Sequence, residues 1–397
     1  VKAQSPPRVL MLLHGYFPGE PRVAAEARAA VEAGFEVDVI ALRRSEDPPN
    51  AVVSGARVWR LPVEHNRGAG LITTAREYTS FVLRSSVLAA RLARRQRYDV
   101  LHVHSPPDFL VLAAAVPRVL GSRSILDVHD LASDMFVMRF ENRLGIGVAD
   151  RILRSVERWA ARASSEVLTV HEPYRRELAA RGIPLEKITV VMNALDERLL
   201  PPPSVDRIDT GDFVVAYHGT ITPHYGVALL VEAVAVLRDR VPGIRARILG
   251  EGDAVPTLRR RVRELGVENL VEISERYLPQ KEVLLAVRDA SVGVVPNLPT
   301  RLNRYALSTK LLEYVALGVP VVSADLPTIR EHFSDAEIRY FRAGDAASLA
   351  DALAEVAANP ESAQQRALEA RRRYDEYRWE HSAKAYVDVL RRAAERS

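Results

Sequence analysis

The sequence predicts an α/β protein made of two doubly wound domains of similar size, followed by a helical tail. Three observations lead there. Short runs rich in Val, Ile and Leu alternate with helical patterns along most of the chain. A proline-rich break interrupts the alternation near the middle, and beyond residue 346 the pattern is helical throughout.

The elements follow in order. Residues 8–13 form an apolar run that stops at His14-Gly15, and helical spacing follows over 21–33. Further runs at 36–40, 99–103, 124–128, 166–170 and 188–191 are each followed by a helical stretch or loop. Runs of this kind, separated by helices, read as a parallel sheet covered on both faces. Pro201-Pro202-Pro203-Ser204 and the polar stretch 206–212 mark the natural hinge. The alternation restarts at 212–217 and continues through 245–249, 270–273, 291–295 and 319–322. Domains are therefore expected at 1–204 and 205–378. In such sheets ligands sit outside the carboxyl ends of the strands, which places the expected site in a cleft between facing domains.

Composition narrows the classes. The 397 residues carry 55 basic and 51 acidic side chains, a net charge of +4, too small to argue for nucleic acid. No basic run is interleaved with aromatics as a single-strand binder requires. The missing cysteines exclude a disulfide framework and thiolate metal sites, and 48% hydrophobic content excludes disorder. No apolar run approaches the ~20 residues that cross a bilayer. Residues 1–7 hold no apolar core that would mark export, so a cytoplasmic protein is expected. Only five lysines (Lys2, Lys187, Lys281, Lys310 and Lys384) stand among the 55 basic residues, so a lysine at a special position is informative.

Residues 74–97 combine Tyr78, Phe81, Val82, Val87, Leu88 and Leu92 at helical spacing with a run of arginines that includes Arg84, Arg94 and Arg95. A core-packing helix with a solvated face accounts for this pattern and is favoured. Peripheral membrane contact through the same helix, at the inner face, is the alternative.

The chemistry concentrates in residues 299–322. Ser308 is a good N-cap, helical spacing starts at Thr309, and Gly318 closes the segment. The free N–H groups of a first turn suit a phosphate. Lys310 lies in that turn, against the usual dipole preference, which suggests that an anion offsets it. Glu313 follows one turn deeper on the same face, where a carboxylate can accept hydrogen bonds from ribose hydroxyls. An exposed Lys310–Glu313 pair with no ligand would produce the same string.

The string Ser308-Thr-Lys-Leu-Leu-Glu-Tyr-Val-Ala-Leu-Gly-Val-Pro-Val-Val322 closely resembles the donor-binding motif of the retaining family 4 glycosyltransferases, which have the GT-B fold. Other landmarks resemble the family in the same order: Gly15 after the first strand, Pro21-Arg-Val, and the helix and strand running from Glu26 to Ile40. Asp99-Val-Leu-His-Val-His104, Val128-His-Asp130, Val190-Val-Met-Asn193, Tyr217-His-Gly-Thr220 and Ile248-Leu-Gly-Glu-Gly252 continue the series. Trp379-Glu380 resembles the start of a tail, here 379–397, that returns to the N-terminal domain.

The resemblance implies two Rossmann-like domains, an N-terminal acceptor side and a C-terminal donor side. It implies transfer of a sugar from a nucleotide-diphosphate donor with retention, with no cofactor and no bound metal, as in building a polysaccharide, glycolipid or glycosylated metabolite. Carried over by position, His129 lies near the reacting centre, and Lys310 and Leu311 lie near the diphosphate. Glu313 holds the ribose, and Gly15 lets backbone approach the phosphates. Gly219, Thr220, Tyr305, Ser308 and Thr309 complete the implied donor contacts.

The departures are specific. The first acid of the family's pair falls at Tyr305, and two cationic slots hold Thr220 and Tyr225. Arg301 or Arg304 is available to substitute, although solvated loop arginines, common in this chain, are the favoured reading. Asn193-Ala194 replaces a usual glycine. His102 and His104 alternate on one strand without an evident third metal ligand, and His14 and His218 are weaker site candidates. Base recognition is expected near Arg276-Tyr277, sugar recognition in 303–307, and acceptor contacts in the loops 60–75 and 131–147. A catalytically silent relative, acting as a binding or partner subunit, is the alternative function. A dinucleotide-dependent oxidoreductase is disfavoured because no Gly-x-Gly-x-x-Gly follows the first strand, and neither a Gly-x-Ser-x-Gly elbow nor a phosphate-binding Gly-x-x-x-x-Gly-Lys occurs.

Overall fold

The apolar runs become the strands of two separate sheets. The computed structural model describes residues 6–65, 70–140, 145–202, 211–274 and 278–395. The chain divides into two units, Val1–Asn193 with Glu380–Ser397, and Ala194–Trp379. Pro201 and Pro202 lie inside the second; Pro203, Ser204 and Asp206 lie outside the described residues.

The first unit holds eight strands: β1 (Arg8–Tyr16), β2 (Glu36–Leu42), β3 (Asn50–Val53), β4 (Ala56–Leu61), β5 (Val100–Ser105), β6 (Arg123–Val128), β7 (Glu166–Thr169) and β8 (Ile188–Val190). Their order is β3-β4-β2-β1-β5-β6-β7-β8, parallel except for the β3–β4 hairpin. Burial on both faces, continuous over 9–13 in β1 and 37–42 in β2 and complete along β5, is the reason these three lack a period-two pattern, whereas β3 and β4 alternate. The hairpin was not expected. It turns on Ser54-Gly55, both at positive φ (50° and 84°), and serine at the first position hides the usual Asn-Gly signal.

Right-handed crossovers fix the layers. The step from β1 to β2 runs one way across the sheet and sets Pro21–Glu32 on one face. The steps from β4 through β8 run the other way and set Leu71–Arg95, Ala115–Val119 and Ile146–Ala163 on the opposite face. In Leu71–Arg95 the stripe Phe81, Val82 and Leu92 is buried, as a core-packing helix requires, whereas Val87 from the expected stripe is exposed. The terminal helix Trp379–Glu395 joins this unit through Tyr386, whose hydroxyl lies 3.0 Å from His102 Nδ1.

The second unit is fully parallel, ordered β11-β10-β9-β12-β13-β14, with β9 (Phe213–His218), β10 (Ile244–Leu249), β11 (Val271–Ser274), β12 (Val292–Val295), β13 (Val321–Ala324) and β14 (Arg339–Phe341). The three-residue β14 is too short to leave a periodic signal. Strand order reverses between β9 and β12, so the binding crevice of this sheet is expected there. The helix Thr309–Leu317 lies across that point. Tyr314 donates its hydroxyl to Ala216 O at 2.9 Å, and a Cβ on Gly293 in β12 would come 2.5 Å from the Tyr314 ring. Glycine at 293 therefore lets the helix lie flat on the strands. Among the described residues no helix is long and apolar enough to cross a membrane.

Candidate functional site

The helix Thr309–Leu317 begins after Ser308 and ends at Gly318, which is left-handed at φ 70°. Ser308 sits at the N-cap position, but its side chain makes no capping bond, so the hydroxyl is not spent on the helix. Leu311 is fully buried and its N–H donates to Ser308 O, so its contribution is packing. Thr309 is exposed at the helix start.

Lys310 and Glu313 are both buried, at 7% and 8% exposure, so they are not the solvated pair the sequence left open. The Lys310 ammonium sits 4.5 Å from the Tyr225 ring centroid and 5.3 Å from that of Tyr217. Tyr225, at a slot where the family usually carries a cation, thus supplies an aromatic face to the cation on the neighbouring helix. Burial pulls the Lys310 pKa down to about 8, with Glu313 opposing the shift. Glu313 accepts a hydrogen bond from Gln280 Nε2 at 2.8 Å, and its other oxygen lies 3.2 Å from His218 Nε2. Burial lifts the carboxyl to about 7 against the Gln280 bond and Lys310. His218 is pushed down to about 3 by burial and by Lys310, so it is neutral here.

Backbone also approaches Lys310. Gly219 is left-handed at φ 105°, and a Cβ there would lie 3.3 Å from Lys310 Cε. Tyr217 donates to Thr220 O at 2.7 Å, and Thr220 is exposed. Gly250 and Gly252 have a structural use: side chains there would overlap Gly219 O and Ile221 O, so they let the loops after β9 and β10 touch. Asn303, in the expected sugar-recognition loop, is buried and donates to His224 O (2.7 Å) and Leu298 O (2.9 Å), tying that loop down. Tyr305 is half-buried; Arg304 is exposed with its guanidinium 5.9 Å from the Tyr305 ring, and Arg301 is exposed as well. Arg276 and Tyr277 lie outside the described residues.

The first unit gathers a second constellation at its own switch point, between β1 and β5. Asp127, at the end of β6, receives Arg22 through two bonds of 2.9 Å and lies 3.0 Å from His129 Nε2. Arg22 also donates to Val191 O (2.6 Å) and Asn193 Oδ1 (2.9 Å). Burial alone would raise the Asp127 pKa, but the Arg22 guanidinium holds it well below the usual carboxylate range. The carboxylate is the strongest acceptor available, so His129 Nε2–H is assigned to it, which leaves Nδ1 for a ligand. His104 Nδ1 lies 3.2 Å from His129 Nε2. His102 and His104 are fully buried, and burial lowers both their pKa values. His129 stays partly open, as does Asn193.

Sequence reasoning missed Arg22, Glu26 and Asp127 as the support of His129. Glu26 and Asp127 are also the additional ligand-type groups beside His102 and His104 that the spacing did not reveal. The set fits a metal poorly as built, because the Arg22 cation already occupies Asp127 and lies 3.1 Å from Glu26. A separate trio converges near the end of β1: His14 Nε2 and His65 Nδ1 lie 3.0 Å and 2.6 Å from Glu77 Oε1. Gly15 stands beside it, half-exposed, where the β1–β2 register shifts between Leu12 and Tyr16. The expected acceptor loops are described only in part, since 66–69 and 141–144 lie outside the described residues.

Comparison with known proteins adds a family assignment. A family model described as glycosyl transferase 4-like domain matches residues 19–194, and one described as glycosyl transferases group 1 matches 203–373. The chain is 26% identical over 377 residues to the glycogen synthase of Mycobacterium tuberculosis, covering 91% of this chain and 87% of the relative. It is 26% identical over 321 residues to 2-deoxystreptamine glucosyltransferase of Streptomyces kanamyceticus, covering 75% and 78%. Among solved structures, sucrose-phosphate synthase from Thermosynechococcus elongatus superposes with a TM-score of 0.80 at 17% identity, over 98% of this chain and 100% of that one. The catalytic domain of Arabidopsis thaliana starch synthase IV, bound to ADP and acarbose, superposes at 0.73 with 13% identity, over 99% and 100%.

Proposed function

The chain belongs to the family 4 glycosyltransferases of the GT-B fold, and from that premise we propose a retaining transfer from a nucleotide-diphosphate sugar to an acceptor hydroxyl. The observation that carries the reading is buried Lys310, held between two aromatic faces at a helix start with Glu313 one turn away. Burying an ammonium and a carboxylate is costly in an empty site. A diphosphate beside Lys310 and a ribose on Glu313 complete both groups.

In this reading the bond between the sugar's anomeric carbon and the diphosphate oxygen breaks, and its electron pair stays on the diphosphate. Lys310 and the N–H groups of Thr309 and Lys310 stabilise that charge as it develops, in the place a metal would otherwise take. The acceptor oxygen bonds to the anomeric carbon on the same face, and its proton passes to the departing phosphate oxygen. His129, tethered through Nε2 to Asp127, offers Nδ1 to orient a sugar or acceptor hydroxyl. Relatives named as glycogen synthase and 2-deoxystreptamine glucosyltransferase, and a neighbour described as bound to ADP, support the nucleotide-sugar class.

Tyr305 in place of an acid keeps the silent-subunit reading in play, and one experiment separates the two. Thermal unfolding is followed with UDP, GDP and ADP, and nucleotide sugars are then screened for transfer with and without EDTA. Stabilisation by one nucleotide and EDTA-insensitive transfer from its sugar are expected. No shift with any nucleotide would sink the donor-site assignment. A shift without transfer to any acceptor in the screen would favour the silent subunit.

A further inference from the structure

The helix Ile146–Ala163 holds its two acids and Arg154 on its inner side, with Ala160 and Ala161 buried beside them, and carries an apolar row on its outer side. On the inner side Arg154 pairs with Asp150 (3.2 Å) and Asp134 (3.6 Å), and buried Glu157 pairs with Arg181 (3.0 Å). On the outer side Val148, Ile152 and Trp159 are 58%, 58% and 47% exposed and recur at helical spacing. With Arg151, Ser155 and Val156 they line an open concavity of ≈ 390 Å³. The inner face packs through Ala160, Ala161 and the Glu157 ion pair, so the solvent-facing apolar row has no packing role within the unit.

Neighbouring segments extend the pattern. Leu71–Arg95 and Ala115–Val119 lie on the same face of the sheet, and all three helices contact the turn Asp108–Ala114. Of fifteen exposed large hydrophobic residues among the described ones, nine lie on these four segments, and Leu120 adjoins them. The exposed charge on these four segments is of one sign, and the first exposed acid beyond them on this side is Glu172, at the start of the helix Glu172–Ala180. Arg84, Arg94 and Arg95 on the first helix, Arg118 on the second, and Arg151 and Arg162 on the third are exposed. The segments' four acids are withdrawn: Glu77, Asp108 and Glu157 are buried, and Asp150 is half-buried against Arg154.

We propose that this side of the first unit docks on an anionic lipid surface, with Val148, Ile152 and Trp159 entering the headgroup–acyl boundary and the arginines meeting acidic headgroups. The chemistry selects this occupant over others. An apolar row with a tryptophan, flanked by cations and free of exposed acids, complements a negatively charged interface. A second copy of the chain would bring like charges together. A nucleic acid would use the arginines but leave the apolar row in water. The anchor is thus the outward row of Ile146–Ala163, not the buried stripe of Leu71–Arg95 that the sequence singled out. It stands apart from the donor-site reading.

The full chain is tested against vesicles of phosphatidylcholine alone and of phosphatidylcholine with phosphatidylglycerol in equal parts, by co-sedimentation and tryptophan emission. Trp159 is exposed, whereas Trp59 is half-buried and Trp379 is buried, so a blue shift on binding reports Trp159. Binding to the anionic vesicles with a blue shift is expected. Ile152→Ser with Trp159→Ser should weaken co-sedimentation at least about tenfold. Arg151→Glu and Arg94→Glu should each weaken it about fivefold or more. Unchanged thermal unfolding of these surface variants verifies that they fold. Failure of the wild type to bind anionic vesicles, or binding that the Ile152 and Trp159 changes leave intact, would overturn the proposal. So would a concentration-dependent dimer that the same changes abolish while vesicle binding is absent.

Discussion

Nucleotide binding should have a bell-shaped pH dependence, because its two anchoring groups titrate close to neutrality. Free Lys310 has its pKa held near 8 by burial, and free Glu313 has its own lifted to about 7. A bound diphosphate requires the lysine charged, and ribose hydroxyls bond best to the ionised carboxylate. Affinity therefore peaks between those two values. From a pH of about 7 to about 9 the free lysine loses its proton, and affinity falls about tenfold if the bound lysine stays protonated. From about 7 to about 5 the free carboxyl gains one, and affinity falls up to about fiftyfold. His218, already near 3, stays neutral across the window, and burial pushes Tyr217 and Tyr314 well above their ordinary range.

The assay is calorimetric titration of the nucleoside diphosphate that stabilises the protein, repeated across pH. Lys310→Met should weaken binding and flatten the alkaline limb. Glu313→Gln should flatten the protein's share of the acid limb and leave only the nucleotide's own phosphate titration. A flat wild-type profile, or limbs that persist unchanged in the variants, would mean that Lys310 and Glu313 do not anchor the nucleotide.

Other outcomes follow from the same geometry. The folded pKa of Lys310 lies below its unfolded value of 10.5, so the charge costs stability at a pH below about 8 and the cost is gone above 10.5. Lys310→Met should therefore stabilise the unliganded protein at neutral pH by up to roughly 3 kcal/mol, read from denaturant unfolding. Asp127→Asn removes the carboxylate that takes two bonds from buried Arg22, leaving Glu26 as its remaining acid, and should cost roughly 3 kcal/mol in the same measurement. His129→Ala, at a partly open position, should lower kcat about 100-fold while leaving nucleotide affinity and Tm nearly unchanged. Gly219→Ala forces a side chain into a left-handed residue and against Lys310, and should cost about 1–2 kcal/mol and weaken nucleotide binding in the calorimeter.

The sequence and the structure agree where the signal is local. The apolar runs at 8–13, 99–103 and 291–295 became buried parallel strands because both faces of each sheet are covered. The helix start at Thr309 and its end at Gly318 were legible from the residue types at 308 and 318, although Ser308 makes no capping bond. Tertiary proximity was not legible. Tyr217 and Tyr225 meet Lys310 only because the helix crosses β9 and β12, and Arg22 meets Asp127 105 residues away. Amphipathic spacing likewise does not say which face turns outward. Leu71–Arg95 buries much of its apolar stripe, whereas Ile146–Ala163 exposes its own because Glu157 and Arg154 are tied inside by ion pairs.

A structure of the protein with the stabilising nucleoside diphosphate bound decides whether Lys310 and Glu313 hold the donor. Phosphate oxygens are expected within about 3 Å of Lys310 Nζ and of the first-turn N–H groups, with ribose hydroxyls donating to Glu313. A nucleotide seated elsewhere, with Lys310 still facing only Tyr217 and Tyr225, would contradict that placement.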